Sequence, residues 1–88
     1  MKKIDEAIDR IKTLECATGS LENRVIEILE DCGVAHENQI KVDRDEYLDK
    51  EDAQAYRVEI ASEIQPIIVF AKSGYDDYVA RVTEAYRK

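Results

Sequence analysis

The chain has 88 residues, 44% of them apolar, with 20 acidic and 13 basic side chains and a formal net charge of −7. That length makes one domain, residues 1–88, which buries only about 60–65% of the surface its unfolded form exposes and leaves little room for a deep, water-excluded active site. No run approaches the roughly 18 apolar residues that cross a bilayer, and a negative chain is a poor direct partner for nucleic acid, whose binding is driven by Lys and Arg.

Residues 2–17 read as an amphipathic helix. Ile4, Ala7, Ile8, Ile11 and Leu14 recur at spacings of three and four and so share one face. The opening Met1-Lys2-Lys3-Ile4-Asp5-Glu6 turns acidic too early for a signal peptide. Thr18-Gly19-Ser20 supplies a stop and a new start, Gly19 by taking the left-handed conformation and Ser20 as an N-cap. A second helix follows over 21–32, with Leu21, Val25, Ile28, Leu29 and Cys32 as its stripe. Gly33 stands where a glycine closes a helix, and Val34 where the accompanying apolar contact is made. The short turn between the two makes them an antiparallel helical hairpin.

Residues 34–43 form a connection in which Ile40-Lys41-Val42 alternates as a short extended segment would. Asp43 and Glu46 have the spacing of a capping box, and Val42 and Tyr47 occupy the two positions of a hydrophobic staple around it. The stretch 44–64 lacks Gly and Pro and is rich in Glu, Ala, Gln and Arg, which predicts a helix. Further on, apolar and aromatic residues fall at Ala53, Tyr56, Ile60, Ile64, Ile67, Ala71, Tyr75, Tyr78, Val82 and Tyr86. Steps of three, four and four repeat, a period of about 3.67 residues per turn. That phase predicts helix over 66–87, kinked or broken at Pro66 and near Gly74, where Ser73 and Asp76 form another cap-like pair. The expectation is therefore a mainly α chain, a compact four-helix domain with helices at about 2–17, 21–32, 44–64 and 66–87. The alternative is α+β. It places short strands at about 56–61 and 67–72, on the alternation of Tyr56, Val58 and Ile60 and the run Ile67-Ile68-Val69-Phe70.

The charge is unevenly placed. Residues 1–21 and 53–88 each sum to zero, so the whole −7 lies in 22–52. Glu27, Glu30, Asp31, Glu37, Asp43, Asp45, Glu46, Asp49, Glu51 and Asp52 are the candidate partner-binding residues. With a third helix packed beside the second, they would merge into one negative surface that steers and selects basic partners. Tyr56, Tyr75, Tyr78 and Tyr86 share the long stripe and are a candidate self-interface, where tyrosine is enriched.

Catalytic and metal chemistry find little support. The segment Asp43–Gln54 has acids at calcium-loop positions 1, 3, 7 and 9, but Leu48 replaces the turn glycine and Gln54 the bidentate Glu. Cys16, Cys32 and His36 are the only soft ligands, too few and too widely spaced for a closed zinc site. Two cysteines without a secretion signal suggest free thiols and a cytoplasmic setting. Glu30 and Asp31 beside Cys32 disfavour a reactive thiolate paired with His36.

The expected function is a non-enzymatic acidic interaction module without cofactor, metal or membrane. It would bind a basic surface of a protein partner. A small inhibitor of the phage or mobile-element type, acting on a nucleic-acid-binding protein by mimicking DNA phosphates, is its narrower form. The alternative is a structural or assembly subunit whose function is homo-oligomerisation. Changing Asp45, Glu46, Asp49 and Asp52 together to Lys is expected to abolish partner binding without unfolding the domain.

Overall fold

A computed structural model describes residues 3–73 and 78–88. Two helices, α1 (Lys3–Ile11) and α2 (Leu21–Asp31), accompany five strands among these residues. The strands are β1 (Glu15–Ala17), β2 (Ile40–Arg44), β3 (Gln54–Ile60), β4 (Ile67–Ser73) and β5 (Val79–Arg87), with single 3-10 turns at Thr18–Ser20, Glu37–Gln39 and Glu46–Leu48. The sheet is antiparallel throughout, in the order β1-β5-β4-β3-β2. The chain is thus α+β and not a four-helix domain.

The apolar stripes of α1 and α2 lie on one face of the sheet. Ile4, Ala7, Ile8 and Ile11 meet Leu21, Val25 and Leu29, and both rows close over Val58, Ile60, Ile67, Val69, Ala71, Val82 and Ala85. Helix α1 carries Asp5 and Glu6 in its first turn and Arg10 in its last, which suits the helix dipole. It stops at Ile11, six residues short of the expected end. The Thr13 hydroxyl donates to the Arg10 carbonyl, and Leu14 N–H turns back to Ile11 O. Such local bonds compete with helix continuation. Glu15–Ala17 then leaves as a strand, so the two helices are separated by β1 and not joined by a helical hairpin turn. Gly19 has no positive φ, and Ser20 makes no side-chain cap bond.

The end of α2 follows the sequence expectation closely. Gly33 has φ 72°, Val34 N–H bonds Leu29 O at 2.9 Å, and Gly33 N–H bonds Glu30 O at 2.9 Å. These are the two bonds of a Schellman closure. A methyl group added at Gly33 would meet only the flexible end of Lys3, at 3.4 Å, so the strain of a substitution comes from the backbone and not from crowding. Gly33→Ala is expected to lower stability by about 1–2 kcal/mol, the cost of a left-handed L-residue. Urea denaturation measures it, and an unchanged midpoint would mean that φ is relaxed at no cost.

The two C-terminal helices of the sequence reading are overturned. Residues 44–64 form the end of β2, a 3-10 turn and β3, while 66–87 hold β4 and β5. Asp43 is a strand residue and not a cap, and Tyr47 is fully exposed instead of stapling a helix. The predicted breaks at Gly74 and the Ser73–Asp76 pair lie wholly or partly outside the described residues. The strands set against the helical reading, 56–61 and 67–72, correspond to β3 and β4.

The reason lies in the spacing itself. A step of four is one helical turn, but it is also two strand pleats. Tyr56 and Ile60 share the helix-facing side of β3, and Ile67 and Ala71 share that of β4. The step of three from Ile64 to Ile67 spans the end of the hairpin turn, where Ile64 is fully exposed. The residues between the steps are buried too, Ile68 and Phe70 on the far side of β4 and Val69 on the near side. Burial of both faces at period two is what a central strand requires.

Strand β5 contains a bulge. Glu84 pairs with Phe70 and Val82 with Ala71, which leaves Thr83 as an extra residue. Its hydroxyl donates to Phe70 O at 3.3 Å. Because of that residue, Val82 and Ala85 both face the helices, while Tyr86 emerges on the opposite side and stacks on Phe70 with ring centroids 6.3 Å apart. Bulges of this kind re-aim side chains.

Candidate functional site

The sheet face away from the helices is partly covered by the loop from Asp45 to Ala53. Leu48 packs on Ala53, Ala55, Ile68 and Phe70, a second small core. Polar attachments through Asp45, Asp49 and Lys50 hold this loop down. Arg57 donates through Nε and Nη2 to Asp45 Oδ2, at 3.2 and 3.1 Å. Arg44 grips Asp49 with two bonds, Nη1 to Oδ1 at 3.1 Å and Nη2 to Oδ2 at 2.7 Å. The same carboxylate accepts the Ala55 backbone N–H at 2.6 Å. Lys50 reaches across the sheet to Glu84, and its ammonium lies over the Phe70 ring, 4.4 Å from the centroid. The Glu84 carboxylate, bonded to the ammonium, is the main cause that raises the Lys50 pKa above its ordinary value. Forked Arg–carboxylate pairs add geometric definition as well as energy.

Nine of the ten acidic candidates therefore divide by role, and Glu37 enters through its backbone N–H. Asp45 and Asp49 are partly buried and occupied in holding the loop. Asp43 is paired along β2 with Lys41 at 3.4 Å. On α2, Glu27 bonds Arg24 at 3.2 Å, Asp31 lies 3.8 Å from Arg10, and Glu30 accepts the Glu37 backbone N–H. Glu46, Glu51 and Asp52 are the exposed carboxylates of the loop, and they surround Tyr47 in sequence. Among the described residues no third helix stands beside α2, and the acids of 43–52 lie on β2 and the loop after it. The α2 acids belong to the helical layer, and the loop acids lie with the second small core across the sheet.

The tyrosines are also dispersed. Tyr56 is half-buried against the helical core, and its phenol is pushed up by burial while Arg44, 5.4 Å from its ring centre, opposes the shift. Tyr86 emerges on the other face. Tyr78 is exposed at the start of β5, where its carbonyl accepts the Thr18 N–H. Tyr75 lies outside the described residues. One stripe does not carry them all.

Catalytic and metal chemistry gain nothing from the geometry. Cys16 and Cys32 are free and half-buried. Burial raises the Cys16 thiol pKa, against the lowering effect of Arg24. Cys32 Sγ receives an Arg10 N–H at 3.5 Å, and His36 N–H is bonded by Gln39. Among the described residues no three of His, Cys, Asp and Glu gather as a metal site would require. A groove of about 420 Å³ runs beside β2, with Lys41, Arg57, Glu59 and Glu63 in its wall but no nucleophile-and-base pair. Among the described residues no helix is long and apolar enough to cross a membrane.

Sequence reasoning placed Tyr47 inside a helix start and so missed its display. The available signal was an aromatic residue inside an acidic run, Asp45-Glu46-Tyr47. It missed Arg44 and Arg57 for a plainer reason, since their partners are set by strand register. No family model, curated protein or solved structure matches the chain.

Proposed function

We propose that the protein is a non-enzymatic binding module whose loop 45–53 engages a basic surface on a macromolecular partner. One observation carries the reading: Tyr47 stands fully exposed at the head of a loop that Asp45–Arg57 and Asp49–Arg44 hold in place. An exposed aromatic residue on an anchored loop that also carries Glu46, Glu51 and Asp52 has the chemistry of an interaction hot spot, because little backbone freedom is left to lose on binding. Glu46, Glu51 and Asp52 supply complementarity to Lys and Arg and speed encounter.

The test follows the division of roles. Reversing Asp45 or Asp49 breaks the loop supports, so the fourfold Lys variant expected from sequence would confound binding with folding. The informative changes are Glu46→Lys, Glu51→Lys and Asp52→Lys together, and Tyr47→Ala alone. Affinity capture from the source-cell lysate at low and moderate salt is expected to yield a partner that salt releases. The triple variant should lose it, and Tyr47→Ala should weaken it by about 2 kcal/mol or more, roughly thirtyfold. A captured partner indifferent to both variants would refute this surface.

A further inference from the structure

Strand β2 ends the sheet, and its sequence Ile40-Lys41-Val42-Asp43-Arg44 is complementary to itself when reversed. Ala61 N–H bonds Gln39 O at 2.9 Å, and Asp45 N–H bonds Ala55 O at 3.0 Å. Both pairs continue the register Ile40↔Ile60 to Arg44↔Tyr56. In an antiparallel ladder the bonded pairs alternate. Residues 39, 41, 43 and 45 therefore turn their backbone groups toward β3, and Ile40, Val42 and Arg44 turn theirs outward. The Ile40 N–H is drawn back to Glu37 O. The outward N–H groups are those of Val42 and Arg44.

We infer that β2 pairs with β2 of a second copy about a two-fold axis at Val42, which joins two sheets into one of ten strands. In that arrangement Val42 faces Val42 of the second copy, and the two exchange both N–H···O bonds. Ile40 faces Arg44. On the face away from the helices, Lys41 stands opposite Asp43 and Asp43 opposite Lys41, at the closely spaced, non-hydrogen-bonded positions. In the single chain these two side chains pair with each other at 3.4 Å and are largely exposed. Pairing between copies exchanges the two contacts, one within each copy, for two across the axis.

The alternation also selects the register. A slip of two residues one way sets Lys41 against Lys41, and the other way Asp43 against Asp43. A slip of one residue points the outward backbone groups of one copy away from those of the other. Charge on an edge strand usually blocks pairing. Here the Lys-x-Asp order blocks every neighbouring register and permits one, which is how specificity is built by excluding alternatives. The other edge, β1, is three residues long and has no such pattern.

The experiment uses the full chain in sedimentation velocity over a wide concentration range. The wild type is expected to dimerise. Lys41→Asp and Asp43→Lys, each alone, place like charges across the axis and should weaken the dimer by about tenfold or more. Mixed together, those two variants should form a one-to-one heterodimer, since each then meets the opposite charge. The double swap Lys41→Asp with Asp43→Lys should restore the homodimer. Circular dichroism checks that the variants stay folded, which their exposure predicts. A wild type that stays monomeric at millimolar concentration overturns the inference. So does a dimer that both single variants leave intact or that Tyr78→Ala or Tyr86→Ala disrupts instead.

Discussion

Ile68→Lys is expected to unfold the domain, and Ile64→Lys to leave it as stable as before. On a helical pattern the two variants should behave alike, because Ile68 lies one turn after Ile64 on the same helix face. In the sheet Ile68 is 0% exposed, at the centre of the small core under the loop, while Ile64 stands free at the hairpin tip. A lysine at position 68 removes a packed side chain and buries an ammonium without a partner, at a cost above about 4 kcal/mol. Total stability for a chain of this size is about 4–13 kcal/mol. The surface change should stay within about 0.5 kcal/mol. Thermal melts followed by circular dichroism distinguish the two. A folded Ile68→Lys variant, or an unfolded Ile64→Lys variant, would contradict the strand assignment directly.

Asp49→Ala is expected to cost about 2–3 kcal/mol, since it removes two charge-assisted bonds to Arg44 and strands the Ala55 N–H. For a domain of this size that corresponds to a fall of roughly 10–15 °C in melting temperature. Asp49→Asn keeps an acceptor for the Ala55 N–H and should lose about half as much. Amide exchange gives the local readout: protection at Ala55 should collapse in the Ala variant and persist in the Asn variant. Equal losses in both would show that the Arg44 charge pair carries the whole effect and that the Ala55 bond contributes nothing.

What could be read from the sequence depended on whether the signal was local. The stripe Leu21, Val25, Ile28, Leu29 and the Gly33 closure both rest on residues three to five apart in and just after α2, and both were legible. From residue 44 onward the signal was degenerate. A spacing of four suits a helix turn and two strand pleats alike, and the helical propensity of 44–64 is weak beside the burial that β3 gains between β2 and β4. Glu15–Ala17 was taken into the first helix because nothing local shows that β5 waits 64 residues away to pair with it. Acidic positions could be counted but not sorted. Whether Asp45 is a free charge or a loop support depends on Arg57, twelve residues on, and that pairing exists only once β2 and β3 are in register.

The bulge at Thr83 gives β5 a spare unit of length. Two residues, Thr83 and Glu84, occupy the space of one between Val82 and Ala85, and the alternation on either side is already in phase. Shortening the strand by Thr83 would leave Val82 and Ala85 toward the helices and Tyr86 toward Phe70, with an unbroken ladder from Ile67 to Ser73. Most one-residue deletions within a strand turn half of it inside out. This strand can absorb one, so a lineage can change the length of a core element here without a compensating change elsewhere.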